Sequence, residues 1–325
     1  MIRRALRASA WPLSALGLLL LFDALFVPAF FSATTAAIVA ERSAPLAIVA
    51  LGMTLVIATR GVDLSVGATM AIAGSLCAWL AAPVDGVPPG AGWPAAAAMA
   101  AAMTAGVIAG AFNGTLVAFA RVQPIVATLI LMVAGRGIAL MISDGQKVPA
   151  DQPTFELLGG LGAAVGTALA ILAVAAAATR ATAMGLFVES VGDNERAARI
   201  AGIGVGAVTL AAYVWAGICA GAAGLLVMAD IAQSDPPNAG LYWELDAILA
   251  VVIGGTSLRG GRFFLVGSVV GAVLIQSLNM TILMLGVRPE ATLIVKAAVV
   301  LAVCLLQSPA FRAAVSRPAA RRWAA

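Results

Sequence analysis

Long apolar stretches separated by short polar or Gly/Pro-rich breaks set the pattern of this chain. A bilayer core of roughly 30 Å is crossed by about 20 apolar residues in a helix, and runs of that kind recur from Leu13 onward. Strand-type alternation is absent, and backbone groups in lipid must then be satisfied within helices. We place spans at Leu13–Phe31, Ala44–Thr59, Ser65–Ala82, Pro94–Ala120, Ile125–Ile142, Leu161–Ala178, Ala207–Ala229, Leu245–Ile253, Phe264–Leu285 and Ala291–Leu306. The predicted fold is all-α: a polytopic membrane protein of about ten helices in a single transmembrane domain, residues 1–325. The second, third and eighth spans are shorter than ideal. The stretches PVDGVPPGAGWP (Pro83–Pro94) and DIAQSDPPNAG (Asp230–Gly240) read as loops. The opening MIRRALR and the apolar run after it read as a retained first span, because the run exceeds the roughly 7–15 residues of a signal-peptide core.

Composition agrees with this reading. Hydrophobic residues make up 62% of the chain and charged residues 10%, against about 25% charged in soluble domains. Basic residues then set the orientation, since Lys and Arg near span ends stay on the cytoplasmic side. With the N-terminus inside, that side holds Arg3, Arg4, Arg7, Arg60, Arg121, Arg180, Arg196, Arg199, Arg259, Arg262, Arg312, Arg317, Arg321 and Arg322. The other side holds Arg42, Lys147 and Arg288. The bias predicts two cytoplasmic termini, an even number of spans and a basic cytoplasmic tail at 307–325. The pI near 9.4 is therefore a matter of topology, and nucleic acid is not an expected partner.

Missing residues exclude several chemistries. The chain has no histidine, which removes His-based acid/base catalysis and His-containing metal sites. Its lysines, Lys147 and Lys296, follow no Gly-x-x-x-x-Gly pattern, so a phosphate-binding loop is absent and no cofactor or metal is expected in this chain. Cys77, Cys219 and Cys304 lie apart in apolar spans and read as small buried hydrophobes. Gly202-x-Gly204-x-Gly206 follows no strand and lacks the spacing of a dinucleotide loop.

Polar and small residues inside the spans are more informative. Gly106, Gly110 and Gly114 recur every four residues, as do Gly217 with Gly221 and Gly267 with Gly271, a spacing that lets helices approach closely. Within one subunit this means helix packing; dimer contacts and a lined pathway are the alternatives. Gln276 and Asn279 share a helix face, with Asn113 a third polar side chain at depth; they either bond helices together or face a polar solute. Ionisable groups within spans are costly and usually paired or functional, and here they are Asp23, Asp63, Arg136, Asp246 and Lys296. Asp63 and Ser65 sit in RGVDLSVG, between Gly61 and Gly67, where a break joins two short spans. That break is either a gate contacting solute or a turn in which Asp63 caps the next helix. Lys296 pairs with Asp246 or Asp23 in the structural reading.

One polar island stands apart from this apolar background. Glu189–Ile203, ESVGDNERAARIAGI, is helix-like and must sit in water. Together with GMTLVIATRGVDLSVGATMAIAGSL (Gly52–Leu76) and ELDAILAVVIGGTSLRGGR (Glu244–Arg262), it resembles, in the same order, the permease subunits of ribose-type bacterial ABC sugar importers. GGRFF, DAILAVVIGG and MTILMLGVRPE are most similar to the galactofuranose branch, and Phe263-Phe264 departs from the ribose pattern.

The resemblance implies a bacterial inner-membrane permease of about ten helices that pairs with a second permease subunit. It also implies a periplasmic sugar-binding protein and a separate cytoplasmic ATPase that uses the ATP. Glu189, Gly192, Asn194, Glu195, Ala197, Ala198 and Gly202 fall in the family's coupling segment. There Ala197, Ala198 and Ile200 would offer an amphipathic helix to a partner groove, rimmed by Glu195, Arg196 and Arg199. Asp63, Ser65, Asn113, Gln276 and Asn279 are the expected substrate pathway or gate. Arg42, Lys147 and Arg288, amid Glu41, Asp144, Asp151, Asp235 and Glu290, are the expected docking cations for the binding protein. An ion-coupled secondary transporter of a small polar solute is the alternative, and a membrane-embedded enzyme lacks a catalytic set.

Overall fold

The structure is a computed structural model that describes residues 2–86, 90–288, 291, 293–298, 301 and 305, with side chains from residue 12 onward, Pro28 excepted. The tail at 307–325, Glu290 and Cys304 lie outside the described residues. The helices are α1 (Ile2–Phe26), α2 (Ala33–Ala58), α3 (Val66–Ala81), α4 (Ala95–Ala118), α5 (Pro124–Ile142), α6 (Pro153–Gly159), α7 (Leu161–Arg180), α8 (Met184–Asp193), α9 (Glu195–Ile200), α10 (Val205–Asp230), α11 (Trp243–Ile253) and α12 (Leu265–Met284), with a 3-10 turn at Pro28–Phe31. No strand occurs among the described residues; Pro149 and Gln233 form an isolated bridge.

Among the described residues six helices, α2, α4, α5, α7, α10 and α12, are long and apolar enough to cross a membrane, and Pro12–Phe26 and Val66–Ala81 are shorter apolar helices. The expected ten crossings also count α11 and the C-terminal segment, so the structure does not fix that number. The second span is longer than its apolar run suggested. It begins at Ala33 because Ser32 caps it, its Oγ accepting from Thr35 N at 3.1 Å, and the helix carries Glu41 and Arg42 within it.

The core is built on α2, α10 and α12, while α7 and α5 leave most of their apolar surface on the outside, as lipid-facing helices do. Glycines bring the central helices together. Gly217 lies against Gly106 and Gly110, Gly110 against Tyr213 and Val214, and Gly271 against the Ala250 backbone. The four-residue glycine spacing thus serves helix packing within the chain, α4 on α10 and α11 on α12.

Two crossings are broken, in opposite order. After α2 the chain turns at Arg60, whose φ of 65° is left-handed, and runs without helix to Ser65 before α3 begins. Tyr213 donates to Val62 O at 3.5 Å, and Tyr213 stands roughly 12 Å along α10 from its arginine-side start. The non-helical piece therefore climbs through the half of the molecule nearer the arginines, and α3 fills the other half. The second break is reversed. Residues 231–242 form no helix but dip inward until Gly240 touches Gly67, and α11 then continues to the arginine-rich face. The expected loop Asp230–Gly240 is accordingly a re-entrant segment. Arg136 supplies its missing backbone partners, Nη1 donating to Pro236 O at 2.9 Å and Ala239 O at 2.6 Å.

Candidate functional site

On the arginine-rich face three distant segments meet at one side chain. Arg60 Nε donates to Gly192 O at 2.7 Å and to Arg259 O at 3.1 Å, and Nη2 donates to Asp193 O at 2.6 Å. Gly192 and Asp193 are the last residues of α8, whose terminal carbonyls lack helical partners and carry the negative end of the helix dipole. A guanidinium, charged and with several donors in a fixed fork, meets that need. Gly261 N completes the joint by donating to Ala58 O at 2.9 Å. Gly192 fits because a Cβ there would run into Ala58 O and Gly261 N.

The polar island does not fold as one helix. It forms the C-terminal part of α8 and all of α9, which meet at Asn194, whose Oδ1 accepts from Ala197 N at 3.0 Å and caps α9. The expectation that Ala197 and Ala198 share an outward face is corrected here. Ala198 is buried at 5% exposure among Ala58, Val188, Val191 and Val208, because the break at Asn194 turns α9 and aims that position inward. Ala197 is exposed, Ile200 is 82% exposed, and Glu195 pairs with Arg199 at 2.7 Å on the surface. Glu189 is part-exposed on α8, and Gly202 takes φ +82° just past α9.

Deeper in the same half lies a closed polar cluster. Asp63 Oδ1 accepts from Ser65 N at 2.9 Å, from Ser65 Oγ at 2.7 Å and from Asn113 Nδ2 at 3.4 Å, while Asn113 Nδ2 also donates to Ser65 Oγ at 2.7 Å. All three side chains are buried. Asp63 thus closes a side-chain turn onto Ser65, the residue just before α3, and Asn113 of α4 ties the break to its neighbour.

The opposite half is open. A cavity of about 440 Å³ is lined by Arg42, Asp230, Trp243, Asp246, Gln276 and Asn279 with several apolar neighbours. Asn279 Nδ2 donates to Gln276 Oε1 at 3.3 Å. Lys296 pairs with Asp246 at 2.6 Å, and Asp23 instead accepts from Thr281 Oγ1 at 2.8 Å. The five residues expected on one pathway therefore divide in two: Asp63, Ser65 and Asn113 in the closed cluster, Gln276 and Asn279 at the cavity. Of the expected docking cations, Arg42 is exposed at the cavity, Lys147 pairs with Asp235 at 3.2 Å, and Arg288 follows α12 on the same face.

Residues 35–304 match the family model described as branched-chain amino acid transport system / permease component. The chain belongs to that permease family. It is 45% identical to the galactofuranose transporter permease protein of Escherichia coli (strain K12), over 94% of this chain and 92% of the relative. It is 38% identical to the fructose import permease protein of Bifidobacterium longum, over 83% of this chain and 76% of that one. The ribose import permease protein of Escherichia coli (strain K12) is 35% identical, over 86% and 88%. No solved structure matches. Membership in a transport-permease family agrees with the absence of a catalytic set from the sequence.

Sequence reasoning passed over Arg60 and Trp243 as site residues of this permease, and it named Arg136 only among the ionisable groups within spans. Arg60 and Arg136 carried a signal, since each stands beside or within an apolar span near a break. Trp243 carried none, being an aromatic at a loop edge.

Proposed function

We propose that this permease is the membrane subunit of an ATP-driven importer that takes a monosaccharide of the galactofuranose or ribose class across a bacterial inner membrane. A periplasmic binding protein delivers the sugar to the face bearing Arg42 and the cavity. A separate cytoplasmic ATPase seats on the outward side of α8 and α9, around Glu195, Ala197, Arg199 and Ile200, and a second permease subunit completes the pathway. Both termini are cytoplasmic in this reading, as the arginine bias requires. The observation that carries it is the Arg60 joint, because a displacement of α8 by a docked partner is passed directly to both broken crossings. Galactofuranose leads among the sugars because the relative named for it matches over nearly the whole of both chains.

The test is reconstitution in proteoliposomes with an ATPase and a periplasmic binding protein of the same importer class from the same bacterium. ATP-dependent sugar uptake that needs both partners is the expected result. Uptake by the chain alone on an ion gradient would overturn this reading in favour of a secondary transporter.

A further inference from the structure

The cavity opposite the arginines has a chemistry of its own. Its volume of about 440 Å³ falls within the roughly 300–1,000 Å³ usual for small-molecule sites. Arg42 and Asp230 are exposed, and Trp243, Asp246, Gln276 and Asn279 are half-buried. The bond from Asn279 Nδ2 takes up Gln276 Oε1 and leaves Gln276 Nε2 as a donor beside Asn279 Oδ1 as an acceptor. Lys296 holds Asp246 Oδ2, and an ionised carboxylate keeps acceptor capacity beyond one such bond. Trp243 adds a broad apolar ring with a polar tip.

A donor, acceptors and a flat apolar face in one cavity suit a small ring that carries hydroxyls along its edge and C–H groups on its face. Charge narrows the choice further. Glu41, Asp230 and Asp246 line the cavity against Arg42, with Lys296 committed to Asp246. A carboxylate or phosphate would meet an excess of negative charge and a single exposed guanidinium, so amino acids and sugar phosphates are poorly matched.

We propose that this cavity is a binding subsite for a neutral monosaccharide, with Trp243 against the ring face and the Gln276–Asn279 pair on its hydroxyls. It rests on the importer reading, of which it names the solute contact within the chain. The test uses the full chain in lipid nanodiscs, with D-galactose and D-ribose as probes and L-leucine as control, read by saturation-transfer NMR and tryptophan emission. One of the sugars should give saturation transfer and an emission change, and L-leucine neither. Trp243→Ala and Gln276→Leu should each weaken sugar affinity about ten-fold or more while thermal stability and ATPase co-purification stay at the parent level. Equal sugar binding in parent and variants, binding of L-leucine in place of sugar, or no sugar binding beside normal ATP-driven uptake would each overturn the subsite. Sugar binding lost in the variants, but with no uptake by the assembled complex, would keep the subsite and refute the importer.

Discussion

The cluster around Asp63 and the group around Gln276 are both polar, both at depth in an apolar molecule, and opposite in use. Asp63, Ser65 and Asn113 point at one another and are closed off. Gln276, Asn279 and Asp246 have partners of their own yet remain half-buried on a cavity. A buried donor without a partner costs about 1–3 kcal/mol, so the closed cluster is chiefly a solution to a folding problem: the backbone at the first break has left helical bonding and must be held. Asn113 Oδ1 is left without a partner but is buried out of reach, whereas the open group leaves hydrogen-bonding capacity unspent on a cavity, which is what a site for a visiting solute requires. Polarity at membrane depth thus marks two roles, and closure separates them.

The largest effect is expected at the closed cluster. Asp63→Ala leaves Ser65 N and the Ser65 hydroxyl without their acceptor, while Asn113 Nδ2 keeps Ser65 Oγ, for a loss of about 2–6 kcal/mol at roughly 1–3 per unmet group. Thermal unfolding of purified protein should show it, together with reduced yield. Full stability with reduced uptake would place Asp63 with the solute contacts and dissolve the contrast.

Next comes the cavity. Gln276→Leu with Asn279→Leu should leave stability within about 0.5 kcal/mol, as for sites outside the packed core. ATP-driven uptake should fall about ten-fold, equivalent to roughly 1.4 kcal/mol. A stability loss matching that of Asp63→Ala would make this pair another structural tie.

The same inward–outward contrast recurs on α9. Ala198→Trp overfills a packed cluster at about 1–3 kcal/mol and should disturb the segment itself. Ala197→Trp, on the exposed side, should leave folding intact and lower ATPase co-purification. If the two behaved alike, the break at Asn194 would not set the partner surface. The smallest effect concerns the rim. Arg42→Glu should slow binding-protein association several-fold at low ionic strength and hardly at all near 1 M salt, where screening acts within about 3 Å. An equal effect at both salt levels would place Arg42 inside the solute site.

Much of this was legible in the sequence, for identifiable reasons. Apolar run length marked most of the full helices, and the glycine spacing of α4 and α10 marked each as a close-packing helix without naming its neighbour, because close approach needs small residues at fixed intervals. Lys296 was narrowed to two partners by the cost of a lone charge, and the fold chose Asp246. What stayed hidden depends on three-dimensional closure. Nothing in RGVDLSVG states that its break lies against Tyr213, and nothing in SDPPNAG states that it dips to Gly67. The inward aim of Ala198 depends on a cap at Asn194, which reads as readily as one more polar residue in a longer helix.

The opposed order of the two breaks has a consequence for leakage. A bilayer holding 100 mV drives each elementary charge with about 2.3 kcal/mol, so a water-filled thread through this protein would drain the potential it sits in. α3 occupies one half of the membrane and α11 the other, meeting at Gly67 and Gly240. The non-helical stretch of each crossing thus ends where the partner crossing becomes helix, and neither break runs from face to face. With the Asp63 cluster closed and the cavity opening in the opposite half, the two breaks do not join into one continuous irregular thread among the described residues.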